Sequence, residues 1–176
     1  MVDKILVIDK EKYFTLSYSE ITGNDGYYTD NKQLKADDVI YKKKREFEHK
    51  VLVLITISED GMSKPYIQES RGVTNANVYI NKCLRPNLAP FIKEHYNVDN
   101  YIFWTDIAIA HYAKVITKYL EFQSITFFQM NYNPPNVPQM RPIETFWANL
   151  SLKVYDKGWQ AQTKTQLIRC IKNKLK

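Results

Sequence analysis

The run Ile5-Leu6-Val7-Ile8 is unbroken, apolar and rich in β-branched residues, and it is closed by Asp9. It reads as a buried strand ending at Asp9. The segment from Val51 to Ser58 is the clearest strand of the chain, and Glu59-Asp60-Gly61 turns it back into Lys64 to Gln68 as a hairpin. Tyr13 to Tyr18 alternates well enough to pair with the first strand, and Asn24-Asp25-Gly26 is a turn signal between strand-like pieces. From Thr74 the pattern becomes helical towards His95, with Pro86 and Pro90 placed to kink or divide the helix. Tyr101 to Thr105 reads as another buried strand. Tyr112, Val115, Ile116, Tyr119 and Phe122 or Gln123 then follow one helix face, and Ser124 to Phe128 reads as a further strand.

A proline-rich loop, Asn133 to Pro138, precedes an amphipathic helix carrying Ile143, Phe146, Trp147, Leu150 and Val154 on one stripe. Gly158 stops that helix. Thr163-Lys164-Thr165-Gln166 has capping-box form and opens a last, basic helix. Strands first, then helices and strands in alternation, give the α/β class: a mixed sheet, five-stranded on this reading, flanked by helices.

The bulk numbers narrow the function. A chain of 176 residues, 44% hydrophobic and 14% aromatic with only 5 glycines, is expected to be one ordered domain. Its longest apolar runs are far too short to span a membrane, and the amino terminus lacks the apolar core of a signal peptide, so an intracellular protein is expected. Cys83 and Cys170 form no metal-type or redox-type pair, which suits free thiols in a reducing compartment. The net charge of +6 suits a polyanionic partner. Two clusters carry it, Lys42-Lys43-Lys44-Arg45 and the tail Arg169, Lys172, Lys174 and Lys176. On charge alone each is equally well a phosphate-binding patch or solvated surface.

The acidic residues say more. In the stretch Phe103-Trp104-Thr105-Asp106-Ile107-Ala108-Ile109-Ala110-His111 a single carboxylate sits in apolar surroundings, where an unpaired charge is costly. Asp9 and Asp106 each fall at the carboxyl end of an expected strand. If those strands are parallel neighbours, both point to one crevice at the sheet edge. Glu144 lies in the first turn of a helix that begins with Pro142, where the helix dipole favours an ionised carboxylate. Taken singly, Asp9 suits a turn, Asp106 suits a helix cap and Glu144 is an ordinary first-turn glutamate. Taken together, three converging carboxylates would repel one another unless cations joined them. Hard oxygen ligands suit Mg2+ or Mn2+, and two such ions can assist attack on a phosphodiester.

The set Ile8-Asp9-Lys10-Glu11-Lys12-Tyr13-Phe14, Phe103-Trp104-Thr105-Asp106 followed by Ala108 and His111, and Pro134-Pro135 through Pro142-Ile143-Glu144 to Trp147 resembles the catalytic domain of mariner-like DDE/D transposases. These belong to the ribonuclease H-like superfamily. The resemblance covers nearly the whole chain in the right order. It implies a single ribonuclease H-like catalytic domain over 1–176 that performs metal-dependent DNA strand cleavage and strand transfer. Asp9, Asp106 and Glu144 would then be catalytic and would hold two Mg2+ or Mn2+ ions. It also implies DNA partners (transposon ends and target), a homodimer in a full-length protein, a nuclear location, and amino-terminal helix-turn-helix modules that this chain lacks.

The sequence departs from the family pattern in having Ile107 after the second aspartate, Arg141 before Pro-Ile-Glu, and Gln139 at an often acidic position. None of these is a metal ligand in the pattern. Arg141 is a candidate phosphate contact, although an exposed arginine is the plainer reading. His111 is a candidate for positioning a phosphate, with a packed histidine the favoured account, and Trp147 is expected in the core. Two alternatives stay open: a catalytically decayed or repurposed DNA-binding domain, and a structure-specific nuclease of the same superfamily that never joins strands.

Overall fold

The computed structural model describes residues 4–17, 49–69, 75–106, 109–133 and 141–176. A mixed five-stranded sheet forms its centre. β1 (Ile5–Thr15) and β2 (Lys50–Ser58) pair antiparallel with Asp9 opposite Thr56 and Lys10 opposite Ile55. β3 (Gly61–Met62) and β4 (Tyr66–Gln68) both pair antiparallel with β2. β5 (Tyr101–Trp104) lies parallel to β1, in register from Ile5↔Tyr101 to Ile8↔Trp104. The hydrogen-bonded order is β3-β2-β1-β5, with β4 also on β2.

Two strand expectations need correction. The first strand does not end at Asp9: Tyr13 to Thr15 continue it, so no second strand starts there and Asp9 lies in its middle. The parallel pairing with β5 does stop at Ile8, so Asp9 is the first residue beyond that partner's edge. Ser124 to Phe128 is not a full strand either. It meets β5 in a single parallel bridge, Phe103 with Phe127, and the short β3 and β4 make up the five. Ser124 holds a left-handed backbone (φ 55°), which turns the chain out of the preceding helix and leaves little extended length.

Successive residues of a strand point to opposite faces, and this parity sorts the core into two layers. Val7 and Leu54 pack with Tyr79, Cys83, Leu84, Leu88, Phe103, Ile116 and Leu120. Ile8, Phe14, Val53 and Ile55 pack on the other side with Trp104, Ile143, Trp147, Leu150, Leu167 and Ile171. The first layer is one helical passage: α1 (Ala76–Val78), a π-helical stretch Tyr79–Leu88, and α2 (Ala89–His95), joined later by α3 (Lys114–Phe122). Pro86 does not divide it. The wide π turns absorb a residue without an N–H, and Pro90 sits in the first turn of α2. On α3 the buried residues are Ile116 and Leu120, whereas Val115 and Phe122, expected inward, are exposed.

The second layer is α4 (Pro142–Val154) and α5 (Lys164–Lys174), with the expected stripe Ile143, Trp147, Leu150 and Val154 buried. Thr163 caps α5 by accepting from the Gln166 N–H, while the Gln166 side chain accepts from the Gln162 N–H. Gly158, at φ +73°, ends the helical run as expected. The turn at Asn24-Asp25-Gly26, the cluster Lys42 to Arg45, and Pro134 to Gln139 lie outside the described residues.

Candidate functional site

Asp9 is 1% exposed and faces the layer of the π-helical stretch. The Tyr79 hydroxyl donates to its Oδ2, while its Oδ1 is buried with no hydrogen-bond partner. Burial pushes its carboxyl up to about 6, against the opposing pull of His111 and the Tyr79 donor, and nearby Asp106 adds to the rise. Glu11, two residues on and therefore on the same face, is also raised, by partial burial and by Asp106, with His111 pulling the other way. His111 itself is buried, stacked on Tyr79 at 4.4 Å between ring centroids, with Nδ1 3.3 Å from the Thr105 hydroxyl. It is a packed histidine.

Asp106 lies two residues past the end of β5 and is 27% exposed in its side chain. Its Oδ1 accepts from Arg141 at 3.3 Å. Arg141 was read as an exposed arginine, and that reading is corrected: it is 4% exposed, with its guanidinium 4.8 Å from the Trp104 ring and a second donation, at 3.3 Å, to Asn133 Oδ1. Asn133 ties the corner together. It accepts from Trp104 Nε1 at 2.7 Å and donates to the Thr105 carbonyl and the Tyr112 hydroxyl. A planar, weakly hydrated guanidinium is the side chain that can meet an indole face, an amide and a carboxylate together. Arg141 also precedes α4 without capping it by its side chain.

Glu144 does lie in the first turn of α4, and its partner is a residue the sequence reading passed over. Lys10 donates to Glu144 Oε1 as an ion pair. Lys10 lies on the face of β1 that carries Ile8, the layer of Ile143 and α4, whereas Asp9 lies on the other. The three carboxylates therefore share a neighbourhood at one edge of the sheet but not one donor set. Asp9 and Asp106 interact; Glu144 faces Lys10 across the strand. Among the described residues no three His, Cys, Asp or Glu side chains are grouped so as to hold one metal ion. The contacts join Asp9 with Asp106 and Glu144 with Lys10. Lys10, Tyr79 and Asn133 are the site residues that sequence reasoning missed. For Lys10 the signal was available, because neighbours on a strand alternate in direction.

The fold defined by these layers is the ribonuclease H-like α/β fold, and its solved likenesses are transposases. The "Mos1 mariner paired end complex with Mn" superposes with a TM-score of 0.73 at 14% identity, over 96% of this chain and 47% of that one. The "Mos1 transposase paired-end complex with left transposon end" gives 0.70 at 16%, over 96% and 46%. The isolated catalytic domain of Mos1 mariner transposase gives 0.53 at 12%, over 97% and 76%. The chain thus spans about half the length of the first two. No family model matches the sequence, and no curated protein matches it.

Paired end complexes of Mos1 have been solved with Mn and with Mg, which makes the fit of such an ion here a question for this chain's own donors. The buried, unpartnered Asp9 Oδ1 beside Asp106 has the hard-oxygen character these ions take. Glu144, the third carboxylate, is engaged by Lys10 in this structure.

Proposed function

We propose that this chain is the catalytic domain of a mariner-like transposase, directed at DNA phosphodiesters. The observation that carries the reading is the arrangement at the sheet edge. Asp9 and Asp106 come from adjacent parallel strands, and α4, bearing Glu144 in its first turn, packs beside them on this fold. In this reading Asp9, Asp106 and Glu144 carry Mg2+- or Mn2+-dependent strand cleavage and strand transfer. That chemistry is held back in the native chain because Lys10 binds Glu144. Transposon ends and target DNA would be the partners, and the nucleus the place of action. The net charge of +6 supports phosphate contact, with Lys42 to Arg45 the candidate patch.

Incubating the domain with supercoiled DNA and Mn2+ tests the reading. Slow nicking is expected, and Asp106→Asn should abolish it; equal nicking by that variant would overturn the assignment. A second reading, a domain that holds DNA without cutting it, is favoured by the two ion pairs Lys10–Glu144 and Arg141–Asp106, which neutralise carboxylates from within. It predicts DNA retention indifferent to EDTA and no nicking at any Mn2+ concentration.

A further inference from the structure

We infer that Lys10 is the resident cation of this site: its ammonium occupies the place beside Glu144 that a divalent ion would need, and the strand position it holds is the one from which a β1 carboxylate could share an ion with Glu144. Three observations carry this. Lys10 and Ile8 share a face of β1, and that face packs on Ile143 of α4, so residue 10 and not residue 9 is directed at Glu144. Lys10 is bonded to Glu144 Oε1, with both side chains partly open (26% and 32% exposed), so an ion from solvent could reach the pair. Arg141, three residues before Glu144, pairs with Asp106 in the same way, so two of the corner's carboxylates are each met by a cation of the chain itself.

An ammonium is a compact point charge without acceptor capacity. It satisfies one carboxylate and cannot bridge two oxygens as an ion does. The same geometry gives a constructive consequence. Lys10→Asp removes the resident cation and adds a second carboxylate on the face of Glu144, so the variant acquires a pair of hard oxygen ligands that the native chain lacks.

The inference rests on the DNA-cleavage reading, and its test uses metal binding so that the two fail separately. Mn2+ binding is measured by electron paramagnetic resonance of the free ion, for the native chain, Lys10→Asp, Lys10→Gln, and Lys10→Asp combined with Glu144→Gln. The expected result is at least tenfold tighter binding in Lys10→Asp than in the native chain, with the gain removed by Glu144→Gln. Lys10→Gln, which only removes the charge, should show a smaller gain and serves if Lys10→Asp fails to fold. Native binding as tight as that of either variant, or a gain that survives Glu144→Gln, would overturn the role of Lys10. Loss of DNA binding in the native chain would instead overturn the reading beneath it.

Discussion

Asp9 carries a large electrostatic cost. Its folded value of about 6 lies above the ordinary 3.8, raised chiefly by burial. The folded state therefore holds this proton more tightly than the unfolded chain. The associated stability is fully present below about pH 4 and is lost as pH rises through 6, a change of about 3 kcal/mol. In EDTA, Asp9→Asn should flatten that part of the pH–stability curve and raise the melting temperature at pH 7; chemical denaturation from pH 4 to 8 checks it. Arg141 works in the opposite sense. It is the buried partner of Asp106, Asn133 and the Trp104 ring, so Arg141→Ala removes the cation beside Asp106, one donor to Asn133 and the contact with the indole at once. A loss of about 3 kcal/mol is expected, and Arg141→Lys should recover only part of it because the fork geometry is gone. The two cysteines differ as well. Burial pushes Cys83 up to about 12; partial burial also raises Cys170, with Lys174 pulling the other way, but that thiol remains partly open to solvent. Thiol titration of the native protein at pH 8 should modify Cys170 first and reach Cys83 only on unfolding.

At the scale of elements, α4 couples the core to the site. Trp147 is 2% exposed and meets Phe14 of β1 edge-on at 6.2 Å, and Ile143 beneath Glu144 is fully buried. Trp147→Ala should cost about 3–5 kcal/mol, read by urea unfolding, and should loosen the helix that carries Glu144. Most elements were legible because each rests on one dominant local signal: the β-branched run of β1, the stripe of α4, the Thr163 cap of α5. The misreadings share a cause. Where β1 ends is decided by its pairing with β2 as far as Thr15, and where Ser124 to Phe128 fails as a strand is decided by β5 offering it only one bridge; neither partner is visible locally. The site was legible as residue types and order, not as geometry. Asp9 and Lys10 are adjacent letters, yet the strand sends them to opposite layers, and only the packing of α4 shows which one Glu144 meets.

For the whole molecule, two helical layers flank a mixed sheet, and the chain carries an excess of six positive charges. Binding to DNA should be carried by phosphate contacts. Affinity should fall by roughly tenfold or more between 50 and 200 mM salt, with little dependence on sequence, as fluorescence anisotropy with unrelated duplexes would record. The central proposal joins the scales: Lys10 holds Glu144 and so keeps it from acting with Asp9 and Asp106. The rate at which supercoiled DNA is nicked in Mn2+ by Lys10→Asp, relative to the native chain, tests it most directly. A rate at least tenfold higher, abolished by Asp106→Asn in either background, is the predicted result; a correctly folded Lys10→Asp protein that cuts no faster than the native chain would contradict it.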